Sequence, residues 1–360
     1  MSADKITAYK GFNDDLTCRG FQFEVGGTYK TDGPVEQCRS GFHACETAID
    51  VLSYYGPVGT RFAEVLLDGE IDRGDGSDSK IAAAKITVVA ELSLPDFIDR
   101  AVKQIVAMAK STKKKSGDRS VASNAGDLSV ASNAGYQSVA SNAGDRSVAY
   151  NAGDQSVAYN AGYQSVASNA GDRSVAYNAG YQSVASNAGD QSVASNAGDQ
   201  SVAYNAGDRS VASNAGDLSV AYNAGDLSVA SNAGYQSVAS NAGDRSVASN
   251  AGDQSVASNA GDQSVASNAG DLSVATNTGY LSVASVCGKA STAVVTGVDG
   301  KVMAEREGCS LFANEIVWNG SEYEVKSNAC GITGRNGIEP GVWYVAKDGK
   351  LIPVAQPKGE

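Results

Sequence analysis

A valine recurs at every ninth residue from Val121 to Val283, and nearly everything around it is small or polar. The unit is Gly-Asp-x-Ser-Val-Ala-Ser-Asn-Ala. It begins at Gly117 and runs without insertion to Cys287, nineteen copies in all. Positions 4, 5 and 6 are Ser-Val-Ala in every copy; position 2 is Asp in fourteen and Tyr in five; position 3 is Arg, Leu or Gln. Position 7 is Ser, Tyr or, once, Thr. Low complexity alone would fit disorder, but a disordered linker has no reason to hold one valine in phase for nineteen units. A locked period reads as a solenoid whose units stack on one another. The x-Ser-Val-Ala-x run is the strand and Asn-Ala-Gly-Asp the turn, where Gly and Asn tolerate positive φ.

Nine residues at about 3.3 Å each give about 30 Å of contour, and two crossings between sheets about 10 Å apart consume about 20 Å of it. One unit therefore cannot close a coil, and two can. The expected fold is mainly β: a parallel β-solenoid of about 18 residues per coil, roughly 46 Å long over the repeats at a strand spacing of about 4.8 Å. The facing of the valine is the open question. It shares strand parity with positions 3 and 7, which carry Arg, Gln and Tyr, so a straight strand points it outward over a Ser/Ala core. It is also the one sizeable apolar group in the unit, and burying it is worth about 1.5–3 kcal/mol. That weight favours a strand bent at positions 3 and 7, with Val inward. The outward arrangement would leave a valine ladder on the surface and imply self-association.

The flanks read as ordinary globular sequence. In residues 1–95, Ile6–Lys10, Phe21–Val25, Phe62–Leu67 and Ile86–Leu92 have strand character, Glu46–Tyr55 has helical spacing, and Gly69–Ser79 is a polar loop. This is a small N-terminal α+β domain. Residues 96–116 are expected to be a capping helix and basic linker. The helix opens at Pro95, has Ile98, Val102, Ile105, Val106 and Ala109 on its apolar face, and ends near Lys110 and Lys113–Lys115, where cations suit its C-terminus. It would plug the open end of the solenoid. The solenoid is assigned to residues 117–300, since Gly288 and Gly297 keep the phase and it fades before Gly308. A C-terminal β cap fills 301–360, with strands at Leu311–Trp318, Tyr323–Lys326, Val342–Lys347 and Lys350–Val354 and a hairpin turn at Asp348-Gly349.

Charge and composition narrow the function. The net charge is −12, from 40 acidic and 28 basic residues, which argues against binding a phosphate backbone. The repeats carry fourteen Asp and five Arg, a net of −9. Spread over the rod, that is one charge per roughly 5 Å, against one per about 1.7 Å in B-DNA, so an acidic DNA-mimic inhibitor is an alternative reading with a charge deficit. Tyr at positions 2 and 7 could stack on bases, but no basic groove accompanies it. No stretch has the length of an apolar membrane span, and the start lacks a basic segment followed by an apolar run. Six scattered cysteines fit reduced thiols in a cytoplasm.

Candidate chemistry is sparse. The single histidine lies in Cys38-Arg-Ser-Gly-Phe-His43-Ala-Cys45, and with Cys18 these are weak metal candidates whose spacing suits no common zinc set. Asp at position 2 invites comparison with calcium-binding nonapeptides, which use several glycines per unit; here it more simply solvates a turn. No catalytic residue and no cofactor is assigned. The displayed residues expected to make contacts on the solenoid surface are Asp118, Arg119, Tyr136, Arg146, Tyr150, Tyr159, Arg173, Tyr177, Tyr204 and Tyr222.

Leu16-Thr-Cys-Arg-Gly-Phe-Gln-Phe-Glu-Val25, Gly41-Phe-His-Ala-Cys45 and Asp50-Val-Leu-Ser-Tyr-Tyr55 resemble an uncharacterised N-terminal domain of bacteriophage, prophage and gut bacterial proteins. Members continue into Ser-Val-Ala-Ser-Asn nonapeptides and end in a small β segment like that around Trp343-Tyr344 and Gly349-Lys350. The resemblance implies a phage-type protein of the host cytoplasm and brings no activity. Gly-Asp-x-Ser-Val-Ala is also similar to the head repeats of trimeric autotransporter adhesins, which supports a β-roll and a homo-oligomer. The order Tyr9-Lys-Gly, Gly41-Phe-His-Ala, Tyr54-Tyr55 and Arg61-Phe-Ala-Glu-Val is loosely similar to ADP-ribosyltransferase folds; this implies, as an alternative, an enzyme of that kind or a nucleotide-binding domain at residues 1–95, with Glu64 or Glu70 as catalytic candidates and the solenoid as a spacer. The expected function is a binding or structural repeat protein that offers a rigid, multivalent surface to a protein partner, such as a host factor, or to itself.

Overall fold

The computed structural model describes residues 5–56, 60–74, 79–94, 96, 97, 100, 101, 104 and 111–355, with residues 111–114 described for their backbone. Two parallel sheets dominate, and each coil contributes one strand to each sheet. Val130 pairs with Val148 and Val148 with Val166 in one sheet; Val139 pairs with Val157 and Val157 with Val175 in the other. The register advances by 18 residues, so two nonapeptides close a coil, and the solenoid makes about 11 turns.

The strands run from Val at position 5 to Asn at position 8 and are straight, and the valine points outward. The inward set is Ser, Ala and Asn at positions 4, 6 and 8: Ala149, Ala167, Ser147, Ser165, Asn151 and Asn169 are all essentially inaccessible. The expectation of an inward valine is overturned: the inward Ser and Asn side chains bond along the ladders and to backbone carbonyls, although seven buried Asn Oδ1 atoms, those of Asn142 and Asn250 among them, have no partner among the described residues. Ser147 N–H donates to Ser165 Oγ at 3.2 Å, and Ser165 N–H to Ser183 Oγ at 3.2 Å. Asn205 Nδ2 donates across the core to the Val211 carbonyl at 2.7 Å and up the ladder to Asn223 Oδ1 at 3.0 Å. A buried amide that is bonded twice avoids the desolvation penalty of an unmade bond.

The turns follow a different logic from the expected one. Position 3, always Arg, Leu or Gln, takes the left-handed conformation in all nineteen units, with φ between 51° and 56°. Its N–H is held by the next coil, as when Gln191 N–H donates to the Asp208 carbonyl at 2.8 Å. The repeat glycine has no positive φ after Gly117; it is required by close stacking. A Cβ on Gly207 would lie 2.4 Å from the carbonyl carbon and oxygen of Gly189. Asp at position 2 does more than solvate the turn: Asp208 Oδ1 accepts the Asp226 N–H at 2.9 Å, and the same bond links Asp190 to Asp208. Tyr at this position offers no such acceptor.

The N-terminal domain is a small antiparallel unit. Its strands are β1 (Ile6–Phe12), β2 (Thr17–Cys18), β3 (Phe21–Gln22), β4 (Thr28–Lys30), β5 (Phe42–Cys45), β6 (Arg61–Asp72) and β7 (Lys80–Leu92). β1 pairs with β6, β6 with β7, β7 with β5 and β5 with β1, so four strands close on themselves, while β4 adds to β7 and β2 and β3 form a separate hairpin. Phe12, Phe23, Val65, Leu67, Ile81 and Ile86 fill the interior. The helix expected over Glu46–Tyr55 is a 3-10 helix over Ala48–Ser53.

This domain sits on the side of the rod. Ile49, Val51 and Leu52 of the 3-10 helix, with Phe62, Phe97 and Ala101, pack against Val130, Val148, Val166, Val184 and Val202 of one sheet. Residues 94, 96, 97, 100, 101 and 104 are helical, and Phe97 and Ala101 place this segment against the flank, not over the open end. Ile98, Val102, Ile105, Val106, Ala109 and Lys110 lie outside the described residues. The stretch beyond them is not a helix end: β8 (Ser111–Lys115) is a solenoid rung paired in parallel with Ser129–Asn133, so Lys113–Lys115 belong to a strand.

At the other end the coil persists past its sequence motif. Thr292–Val295, Lys301–Ala304 and Ser310–Trp318 continue the two sheets in register. Val286, Val295, Val302 and Leu311 take over the core positions. Tyr323–Ile332 then pairs antiparallel with Ser310–Trp318, and the hairpin Trp343–Lys347/Lys350–Val354 turns at Asp348-Gly349, where both residues have positive φ.

Candidate functional site

The outward valines make two ladders of identical composition. One is covered over five rungs by the N-terminal domain. Polar contacts at the neighbouring turn lock that contact: Arg146 reaches the buried Asp50 at 3.1 Å, Gln182 Nε2 donates to the Leu52 carbonyl at 2.7 Å, and Gln164 Nε2 to Ser53 Oγ at 3.0 Å. The other ladder runs from Val121 through Val139, Val157 and onward to Val283, and all of these side chains keep some exposure to solvent.

The residues expected to form the displayed surface are divided by this geometry. Asp118, Arg119, Tyr136 and Arg173 lie along the turns that lead into the free sheet. Tyr159 and Tyr177 are on the free sheet itself, stacked with ring centroids 5.4 Å apart and planes 9° apart. Tyr150, Tyr204 and Tyr222 are on the sheet that carries the N-terminal domain; Tyr204 packs against that domain's cluster and stacks on Tyr222 at 5.5 Å. Burial and the nearby Tyr222 push the Tyr204 phenol above its ordinary value. Arg146 is spent on Asp50.

The N-terminal domain holds a cleft of 610 Å³. Strands β1 and β5, the β2–β3 hairpin, the turn before β5 that holds Cys38 and the end of the 3-10 helix bring Cys18, Cys38, His43 and Cys45 to its walls, together with Lys10 and Tyr55. The four metal candidates are thus neighbours, but the Cys18 thiol and the His43 Nε2 are engaged by other groups. Lys10 Nζ lies 3.4 Å from Cys18 Sγ and donates to the His43 carbonyl at 3.0 Å; Tyr55 Oη lies 2.9 Å from the same thiol. His43 Nε2 accepts the Cys38 N–H at 3.0 Å. Among the described residues no group of three or more His, Cys, Asp or Glu is arranged to hold a metal ion. No disulfide links the six cysteines, all of which are described.

Burial shapes the electrostatics of the cleft. It holds the Lys10 ammonium below its ordinary pKa. Burial first, and the Lys10 charge second, hold His43 below its own, so the imidazole stays neutral at neutral pH. Burial and the Cys18 contact push the Tyr55 phenol up. Glu64 is paired with Arg100 at 3.1 Å, and neither Glu64 nor Glu70 lines the cleft. Lys10 escapes sequence reasoning because it reads as the solvent-facing member of an alternating strand. Gly11 is a partial signal: a Cβ there would meet the Tyr55 ring at 2.5 Å, so the glycine makes room for a cleft wall.

Among the described residues no helix is long and apolar enough to cross a membrane. Residues 6–100 match the model of a family described as a domain of unknown function (DUF7666). No curated protein and no solved structure matches the chain.

Proposed function

We propose that the chain is a structural binding protein whose solenoid presents its free valine face to a protein surface, in the first place that of a second copy. One observation carries this reading. The same ladder, on the opposite sheet, is buried over Val130–Val202 by the chain's own N-terminal domain, so the protein already uses this surface for docking. The free face carries Val, Ser and Tyr side chains from Val121 to Val283 and a charge, Lys301, at its last rung, and its eleven strands from Val121–Asn124 to Lys301–Ala304 are evenly stepped. At about 4.8 Å per strand and about 13 Å of strand width it offers roughly 700 Å², and a face-to-face pair would bury about 1,400 Å², within the range of specific interfaces. Two copies share the step, so their rungs stay in register along the whole length, and many weak contacts add. The resemblance of the N-terminal blocks to phage proteins extends this reading to a phage-type role, with a host protein as the other occupant.

The test removes coils in pairs of units. Deleting Gly207–Ala224, then Gly207–Ala242, then Gly207–Ala260 keeps the phase and all five docked valines. Pairing constants from sedimentation should fall with each deletion. Unchanged pairing across the series, or capture of a heterologous protein with no self-pairing, would overturn the second-copy reading.

A further inference from the structure

The cleft of the N-terminal domain has a chemistry unlike the rest of the molecule. In a chain of net charge −12, its lining carries five cations, Lys10, Arg19, Lys30, Arg39 and Lys80, and no carboxylate. Lys30 and Arg39 are paired outside it, with Asp32 at 3.0 Å and Glu36 at 2.9 Å. Lys80 Nζ sits 4.1 Å from the centre of the Tyr54 ring. Lys10 is the unusual member. It is 6% exposed, and its ammonium meets a thiol, a carbonyl and the rings of Phe12, Phe23 and Tyr55. Among the described residues no carboxylate pairs with it. A buried ammonium without a counter-ion is costly, and the open side from which a counter-ion could come is the cleft.

The walls supply the second half of the argument. Phe21 and Tyr54 are large apolar side chains left 45% and 44% exposed at the cleft. Phe21 is held by steeply inclined contacts with Phe23, Tyr29 and Phe42, at 4.8, 5.3 and 5.8 Å, and nearly half of it is still open to the cleft. The volume, 610 Å³, falls within the size range of small-molecule sites, about 300–1,000 Å³, and is too small for a macromolecular groove. The cations select an anion, and the rings select a planar group.

We propose that this cleft binds a small anionic ligand bearing a planar aromatic ring, of the mononucleotide class, with its phosphate directed to Lys10 and Arg19 and its ring against Phe21 and Tyr54. Stacking on an aromatic wall together with charge-assisted bonds to the phosphate would give the two-point recognition that either part alone lacks. This inference is independent of the solenoid reading.

The test is calorimetric titration of the full chain with AMP, ADP and GMP, and separately with adenosine and inorganic phosphate. The nucleotides should bind, and adenosine and phosphate each at least about tenfold more weakly, the size of one lost charge-assisted contact. Arg19→Gln and Lys80→Gln, at the accessible part of the cleft, should each weaken nucleotide binding by about the same factor. Lys85→Gln, at a lysine outside the cleft that pairs with Asp68 at 3.1 Å, should leave it unchanged. Lys10→Met should abolish binding; because it alters a buried site, its fold is checked by circular dichroism, and the two rim variants carry the test if it unfolds. No binding of any of the three nucleotides at millimolar concentration would overturn the proposal. So would binding that Arg19→Gln and Lys80→Gln leave intact.

Discussion

Gly207→Ala puts the stacking of the coils to a direct test. The added Cβ would lie 2.4 Å from Gly189 C and O and 2.6 Å from Asp190 N, all backbone atoms of the coil below. Ordinary contact begins near 3.4 Å, so that coil must retreat by about 1 Å. Two bonds cross between coils at this turn, Gln191 N–H to the Asp208 carbonyl at 2.8 Å and Asp208 N–H to Asp190 Oδ1 at 2.9 Å. A retreat of that size takes both out of bonding range. Two lost bonds at about 1 kcal/mol each, with overpacking at the lower end of its range of about 1–3 kcal/mol, give a destabilisation of about 3 kcal/mol. The assay is urea unfolding followed by far-ultraviolet circular dichroism. The matched control is Gln263→Gly at an exposed position 3 with φ 54°, where relief of left-handed strain and the added freedom of the unfolded chain offset each other to within about 1 kcal/mol. Gly207 has no positive φ, so if close stacking did not constrain it, Gly207→Ala would be neutral or stabilising by about 0.4–1 kcal/mol. A measured cost under about 1 kcal/mol would refute the stacking argument.

Three further outcomes follow from the same geometry. Asn205→Ala removes the bonds to Val211 O and Asn223 Oδ1 and leaves the Asn187 amide, which donates to Asn205 at 3.0 Å, with only its bond to Val193 O; a loss of about 2–4 kcal/mol is expected in the same urea assay. Val184→Asp would bury a carboxylate under the N-terminal domain, whereas Val193→Asp places one on the free face; limited proteolysis should release the domain in the first variant only. Glu315 is held down to about 2 by its bonds to Ser327 and Lys326 and by the Asp348 N–H. A carboxyl with a depressed folded pKa contributes stability above its unfolded value, about 4.3, and loses it as pH falls toward 2. Acid unfolding of the C-terminal cap should therefore show a dependence across that window that Glu315→Gln abolishes, read by NMR of the cap.

The period and the 18-residue coil were legible because repetition and strand spacing alone decide them. The facing of Val121–Val283 was not. Strand parity placed it with positions 3 and 7, correctly outward; the weight given to burying an apolar side chain pulled it inward. That weight neglected the Ser and Asn ladders, whose satisfaction depends on a neighbour 18 residues away, and the five valines that are buried after all, beneath another domain. Arg146 makes the same point. It occupies the same position as Arg119, Arg173, Arg209 and Arg245, yet it alone lies on the edge where Asp50 arrives. The cleft was half visible: the Cys38–Cys45 run was singled out with Cys18 for its thiols and imidazole, but the cations that give the site its character come from β1, the β2–β3 turn, β4, the β4–β5 connection and the start of β7, and only folding brings them together.

Sedimentation of the full chain across a concentration series, beside the triple variant Val193→Lys/Val211→Lys/Val229→Lys, tests the central claim most directly. The three positions lie on adjacent rungs at the middle of the free face, away from the N-terminal domain. A concentration-dependent dimer for the natural chain and a folded monomer for the variant is the predicted result. A natural chain that stays monomeric throughout, or a dimer untouched by three lysines on that face, would contradict it.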